Sequence, residues 1–77
     1  MKYTIRHGSI AAVQYVTMPN GDVWDITDSQ EDPDKWKLPL AVQAAVNRQF
    51  GIIFALPYER RQGFIDNSVP FEVEVTQ

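Results

Sequence analysis

The sequence predicts a single small α+β domain, with one helix packed on an antiparallel or mixed sheet of four or five strands, in the order β-β-β-α-β-β. Three observations predict it. Residues 38–51, LPLAVQAAVNRQFG, carry apolar side chains at helical spacing. Pro19-Asn20-Gly21-Asp22 has the composition of a hairpin turn, with β-rich runs on both sides. The chain also starts and finishes on segments that alternate polar with apolar residues, at 2–7 and 71–75.

In the first alternating run Tyr3 and Ile5 fall on one face and Lys2, Thr4 and Arg6 on the other, the pattern of a half-buried strand. Gly8-Ser9 is expected to turn the chain into a second strand over 10–18. The Asn-Gly turn then returns it through a third strand, 23–27, with Trp24 and Ile26 inward and Asp25 outward. Residues 28–37, DSQEDPDKWK, are polar and turn-rich. Within them Asp32-Pro33-Asp34 reads as an N-cap, a proline at the first helical position and a favourable charge at the second, so a short helical turn is expected to carry Trp36.

On the main helix Leu38, Val42, Ala45, Val46, Gln49, Phe50 and Ile53 form one side, with Pro39 in the first turn and Gly51 as the stop. The opposite face holds Asn47 and Arg48 but also Leu40, Ala41 and Ala44. Those three are the expected interface of a homodimer, because a helix covering one sheet needs a single apolar face. Residues 52–56, IIFAL, read most simply as a buried strand, or else as a prolongation of the helix. Residues 57–63 are bracketed by Pro and Gly and read as a loop or hairpin tip. Phe64, Ile65 and Asp66 are expected to pair briefly. In the last strand Phe71, Val73 and Val75 point inward, and Pro70 with Glu72 and Glu74 suits a sheet edge.

The chain has 77 residues, 44% of them hydrophobic, and no cysteine. This is one domain near the lower size limit for a self-sufficient core. Disulfides, thiolate catalysis and cysteine metal sites are excluded together, and a cytoplasmic location is expected. The beginning of the sequence lacks the continuous apolar stretch of a signal peptide. With a net charge of −3, sequence-independent nucleic-acid binding is disfavoured, because that affinity comes from cations that neutralise phosphates. Six of the ten acids, Asp22, Asp25, Asp28, Glu31, Asp32 and Asp34, lie close together, whereas Arg48, Arg60 and Arg61 supply most of the positive charge further on.

No catalytic, cofactor or metal site is expected. His7 is the sole histidine, and its closeness to Ser9 is a pairing that chance supplies readily. The acidic segment lacks the spacing of a calcium loop. Tyr58, Arg60 and Arg61 could present forked donors and a stacking face to an anion. Trp24 reads as core. Trp36, set between two lysines, either covers a sheet edge or stands out as an anchor for another protein.

The reading that follows is a non-enzymatic interaction module, an acidic accessory or inhibitory protein of the kind found among phages and mobile elements by analogy of size and charge. It would bind another macromolecule through Asp28, Glu31, Asp32, Asp34 and Trp36. The alternative is a binder of a nucleotide or other anionic metabolite through Tyr58, Arg60 and Arg61, at a dimer interface. An enzyme and a direct nucleic-acid binder rank below both.

Overall fold

The computed structural model describes residues 1–29 and 32–76. Three strands, β1 (Lys2–His7), β2 (Val13–Thr17) and β3 (Val23–Thr27), are followed by three helices, α1 (Pro33–Trp36), α2 (Leu40–Ala55) and α3 (Tyr58–Asn67), and a last strand, β4 (Phe71–Glu74). The sheet is four-stranded and wholly antiparallel, in the order β3-β2-β1-β4. The α+β class therefore holds, but the element order is β-β-β-α-α-α-β.

Register places the core. Ile5 lies opposite Val16 and Phe71, Tyr3 opposite Val73, and Val16 opposite Trp24, so their side chains share one face of the sheet. Against that face α2 lays Val42, Val46 and Phe50, all buried with Tyr3, Ile5, Val16 and Ile26. Trp24, Phe71, Val73 and Val75 are partly buried around them. One buried polar contact ties the two layers: Gln14, fully buried, donates through Nε2 to the Val46 carbonyl at 2.9 Å. The β4 strand takes the edge position expected for it, beside β1.

The hairpin forms by a different turn from the one Asn-Gly usually makes. The Gly21 amide donates to the Met18 carbonyl at 2.9 Å, and Gly21 has φ of 94°, whereas among the described residues no non-glycine residue has positive φ. Pro19 explains this. Its ring fixes φ near −65°, so the first turn position cannot be left-handed, and the chain makes an ordinary turn closed by a left-handed glycine. The Gly8-Ser9 turn is likewise longer than expected, because β2 begins only at Val13.

The larger correction concerns residues 51–67. Gly51 does not end the helix, and residues 52–55 are not a strand: α2 runs through to Ala55. Burial recurs at Val42, Val46, Phe50 and Ile53, helical spacing that carries past the glycine. The helix stops at Leu56 (ψ 150°), because the residue before a proline is pushed out of the helical region. Residues 57–63 are not a loop and Phe64–Asp66 do not pair; both belong to α3. Its half-buried positions, Arg61, Phe64, Ile65 and Ser68, follow the i, i+3, i+4, i+7 rule. The start of α2 also moves, to Leu40, with Pro39 at the N-cap and Leu38 buried just ahead of it. Among the described residues no helix is long and apolar enough to cross a membrane.

Candidate interaction site

The site is built by α1, a helix too short to persist by itself. Asp32 holds it in place. One carboxylate oxygen accepts from the Asp34 amide (3.0 Å), and the other accepts from the Thr27 amide (2.8 Å) and hydroxyl (3.0 Å). Pro33 occupies the first helical position, where its missing N–H goes unneeded. The cap thus also staples α1 to the free edge of β3. Desolvation pushes the Asp32 carboxyl up, but the hydrogen bonds from Thr27, Asp34 and the Lys35 amide outweigh it and hold the group below its ordinary value. At the other end Gln43 donates to the Leu38 carbonyl (2.6 Å), and the buried Leu38 side chain pins the link between α1 and α2.

So held, α1 faces the C-terminal half of α2 across a cleft of about 580 Å³. Trp36 forms one wall and Phe54 and Phe50 the other, with Asp28, Lys35, Asn47 and Gly51 completing the lining. Trp36 is 63% exposed. Nothing lies within 4 Å of where a Cβ on Gly51 would sit, so the glycine leaves the cleft open there.

The expected partner-binding residues are distributed unevenly over this geometry. Asp28 and Trp36 line the cleft. Asp34 sits half-buried in the first turn of α1, beside it. The Asp32 carboxylate is spent on capping, and Glu31 lies outside the described residues. Asn47, Phe50, Gly51 and Phe54 were not signalled as site residues. Reading residues 52–55 as helix would have added Phe54 to the line of Asn47 and Gly51, at i, i+4 and i+7.

Leu40, Ala41 and Ala44 are all exposed, Leu40 to 82%. Leu40 lies two helical turns before Asn47 on the cleft side of α2, whereas Ala44 lines a separate hollow with Arg48, Gln49, Ile52 and Phe71. Tyr58 and Arg61 line a second hollow of about 420 Å³ against Ile10, Ala12 and Phe54, but Arg60 is not part of it. Arg61 is engaged within the chain. Its Nε donates to the Leu56 carbonyl and its Nη2 to the Phe54 carbonyl, both at 3.2 Å, and the guanidinium lies 5.0 Å from the centre of the Phe54 ring. A cation on the last carbonyls of α2 is a helix cap, and it fixes the aromatic wall of the first cleft.

His7 pairs with Gln49 (Nε2 to Oε1, 3.2 Å) and meets the Phe64 ring edge-on at 5.4 Å. Among the described residues no three His, Asp or Glu side chains come together as a metal site would require. Compared with known families, curated proteins and solved structures, the chain matches none.

Proposed function

We propose that this chain is a non-enzymatic interaction module that docks a segment of another protein in the cleft between α1 and α2. The observation that carries the reading is Trp36, 63% exposed on the wall of a cleft faced by Phe54. Tryptophans that combine this much exposure with a place on a cleft wall are suited to anchor interfaces. Leu40, on the same line of α2 as Asn47, widens the contact. Asp28 and Asp34 beside it favour a partner with basic residues at the rim, in keeping with a net charge of −3. A chain of this size acts by occupying a surface, which suits an accessory or inhibitory role in the cytoplasm.

The anion-binding alternative through Tyr58, Arg60 and Arg61 has less support, since Arg61 is already held by two hydrogen bonds, from Nε and Nη2, to carbonyls of its own chain. The test is capture of a defined partner by immobilised protein. Trp36→Ala and Leu40→Glu are expected to abolish it and Arg60→Ala to leave it intact. Equal capture by Trp36→Ala and the parent would refute the reading. Homodimerisation through Leu40, Ala41 and Ala44 competes for Leu40. A sedimentation mass of two chains, reduced to one by Leu40→Glu, would show that the surface is filled by a second copy instead.

A further inference from the structure

The Asn20-Gly21 pair closes the β2–β3 hairpin and takes no part in the cleft, so its chemistry is independent of the docking reading. Asn20, Gly21 and Asp22 are all exposed. Two contacts with Asp22 fix the direction of the Asn20 amide: Oδ1 accepts from the Asp22 backbone amide (3.0 Å), and Nδ2 donates to Asp22 Oδ2 (3.2 Å). The Asp22 amide thus already sits where negative charge develops when a nucleophile adds to Asn20 Cγ. The next nitrogen along the chain belongs to Gly21, which has no side chain to crowd its approach to that carbon. Beyond its chain neighbours, nothing lies within 4 Å of where a Cβ on Gly21 would sit.

We infer that Asn20 is a site of spontaneous modification, at which the chain converts its own asparagine to aspartate and isoaspartate through a cyclic imide. Hydroxide takes the proton of the Gly21 amide, and the nitrogen attacks Asn20 Cγ. A Cγ–N bond forms, and Oδ1 becomes an oxyanion stabilised by the Asp22 amide. The oxyanion collapses, the Cγ–Nδ2 bond breaks, and the side-chain nitrogen leaves as ammonia with a proton from water, which returns hydroxide. Water then opens the ring at either carbonyl. Opening at Cγ leaves aspartate; opening at the main-chain carbonyl leaves isoaspartate, in which the chain runs through Cβ and Cγ. Ammonia is exchanged for water, and one negative charge is added to the net −3.

The other two asparagines are held away from this path. Asn47 and the Arg48 that follows it lie inside α2, where the helical ladder fixes the backbone nitrogen. Asn67 donates through Nδ2 to the Gly63 carbonyl (2.7 Å), and the Ser68 amide after it donates to Ile65 (3.1 Å). At Gly21 the opposing contact is the bond to the Met18 carbonyl, which must open for the nitrogen to turn toward Cγ. Water replaces that bond at an exposed turn, so the delay is about tenfold at most.

The test is peptide mapping by mass spectrometry after the intact protein has stood for days in mildly alkaline buffer. A gain of one mass unit should appear at Asn20 at least about tenfold faster than at Asn47 or Asn67. Isoaspartate should accompany it, recognised by its electron-transfer fragments. Asn20→Gln, whose longer side chain needs a larger ring, should abolish the gain. The aged parent should melt lower than fresh protein, because isoaspartate lengthens the turn, whereas Asn20→Gln aged in parallel melts as it did when fresh. Aspartate without isoaspartate would overturn the inference, since direct hydrolysis of the side-chain amide makes no isoaspartate. So would equal rates at the three asparagines. A gain at Asn20 seen in urea but absent from the folded chain would also overturn it, by showing that the bond from Gly21 to Met18 locks the turn.

Discussion

Replacing Asp32 with alanine removes one side chain that does two jobs, and its cost can be worked from the contacts. Loss of an N-cap acceptor costs about 1 kcal/mol, within a range of about 0.5–2. The two bonds from Thr27 would be worth more in a buried setting. Thr27 is exposed, however, and water can replace the carboxylate there, so about 0.5 kcal/mol each is the most they add. The sum is about 1–2.5 kcal/mol, or a melting temperature lower by about 5–15 °C for a domain this small. Urea denaturation monitored by Trp24 and Trp36 fluorescence measures it at pH 7. A second expectation concerns pH. Because folding lowers the pKa of Asp32, its ionised form contributes stability that is complete above the unfolded value, near ~3.9, and is lost as pH falls through the lower folded value. The gap between parent and Asp32→Ala should therefore narrow in acid. A gap under about 0.3 kcal/mol at pH 7, or one that stays constant well below pH ~3.9, would refute this account of how α1 is held.

Other substitutions separate roles that composition leaves alike. Arg61→Ala should cost about 1–2 kcal/mol by uncapping α2, while Arg60→Ala stays within about 0.5, both read by thermal melts. A Gly63→Ala variant should be about 0.5–1 kcal/mol more stable, since the residue lies in α3 and its added Cβ meets nothing within 4 Å; a destabilised variant would contradict the helix. At Gln14, methionine removes the bond to Val46 together with a buried amide oxygen that has no partner, so stability should change by less than about 1 kcal/mol, whereas alanine leaves a cavity and should cost about 2 or more.

Wherever one principle acted without a rival, sequence and structure agree. Tyr3 and Ile5 alternate with charged residues because β1 has one buried face, and Asp32-Pro33-Asp34 caps α1 as its chemistry requires. Where two principles compete, the outcome depends on packing at a distance. Gly51 normally terminates helices, yet burial of Phe50 and Ile53 on either side of it offsets its entropic cost of about 1 kcal/mol. The Ile52-Ile53-Phe54 run satisfies strand and helix alike, and the tie is settled by Val46, one helical turn before Phe50. For α3 the sequence did hold a signal: Pro57 followed by Tyr58-Glu59-Arg60-Arg61-Gln62 is a proline before good helix formers, and the bracketing Gly63 masked it. Half of the cleft was legible through Trp36 and Asp28. Of the rest, Phe54 stands on the misread segment, whereas Asn47, Phe50 and Gly51 lie in the stretch read correctly as helix and became lining only because α1 is held against the end of β3, which no local pattern records.

The most direct test of the docking claim is site-specific cross-linking from the cleft. A photoreactive side chain introduced at Asn47, with the same substitution at Arg60 as a control, is exposed to the captured partner and the linked peptides are sequenced. The account predicts linkage from position 47 to one short partner segment that carries an apolar residue, with no such linkage from position 60. Linkage from position 60 but not from 47 would contradict it and move the binding surface to α3.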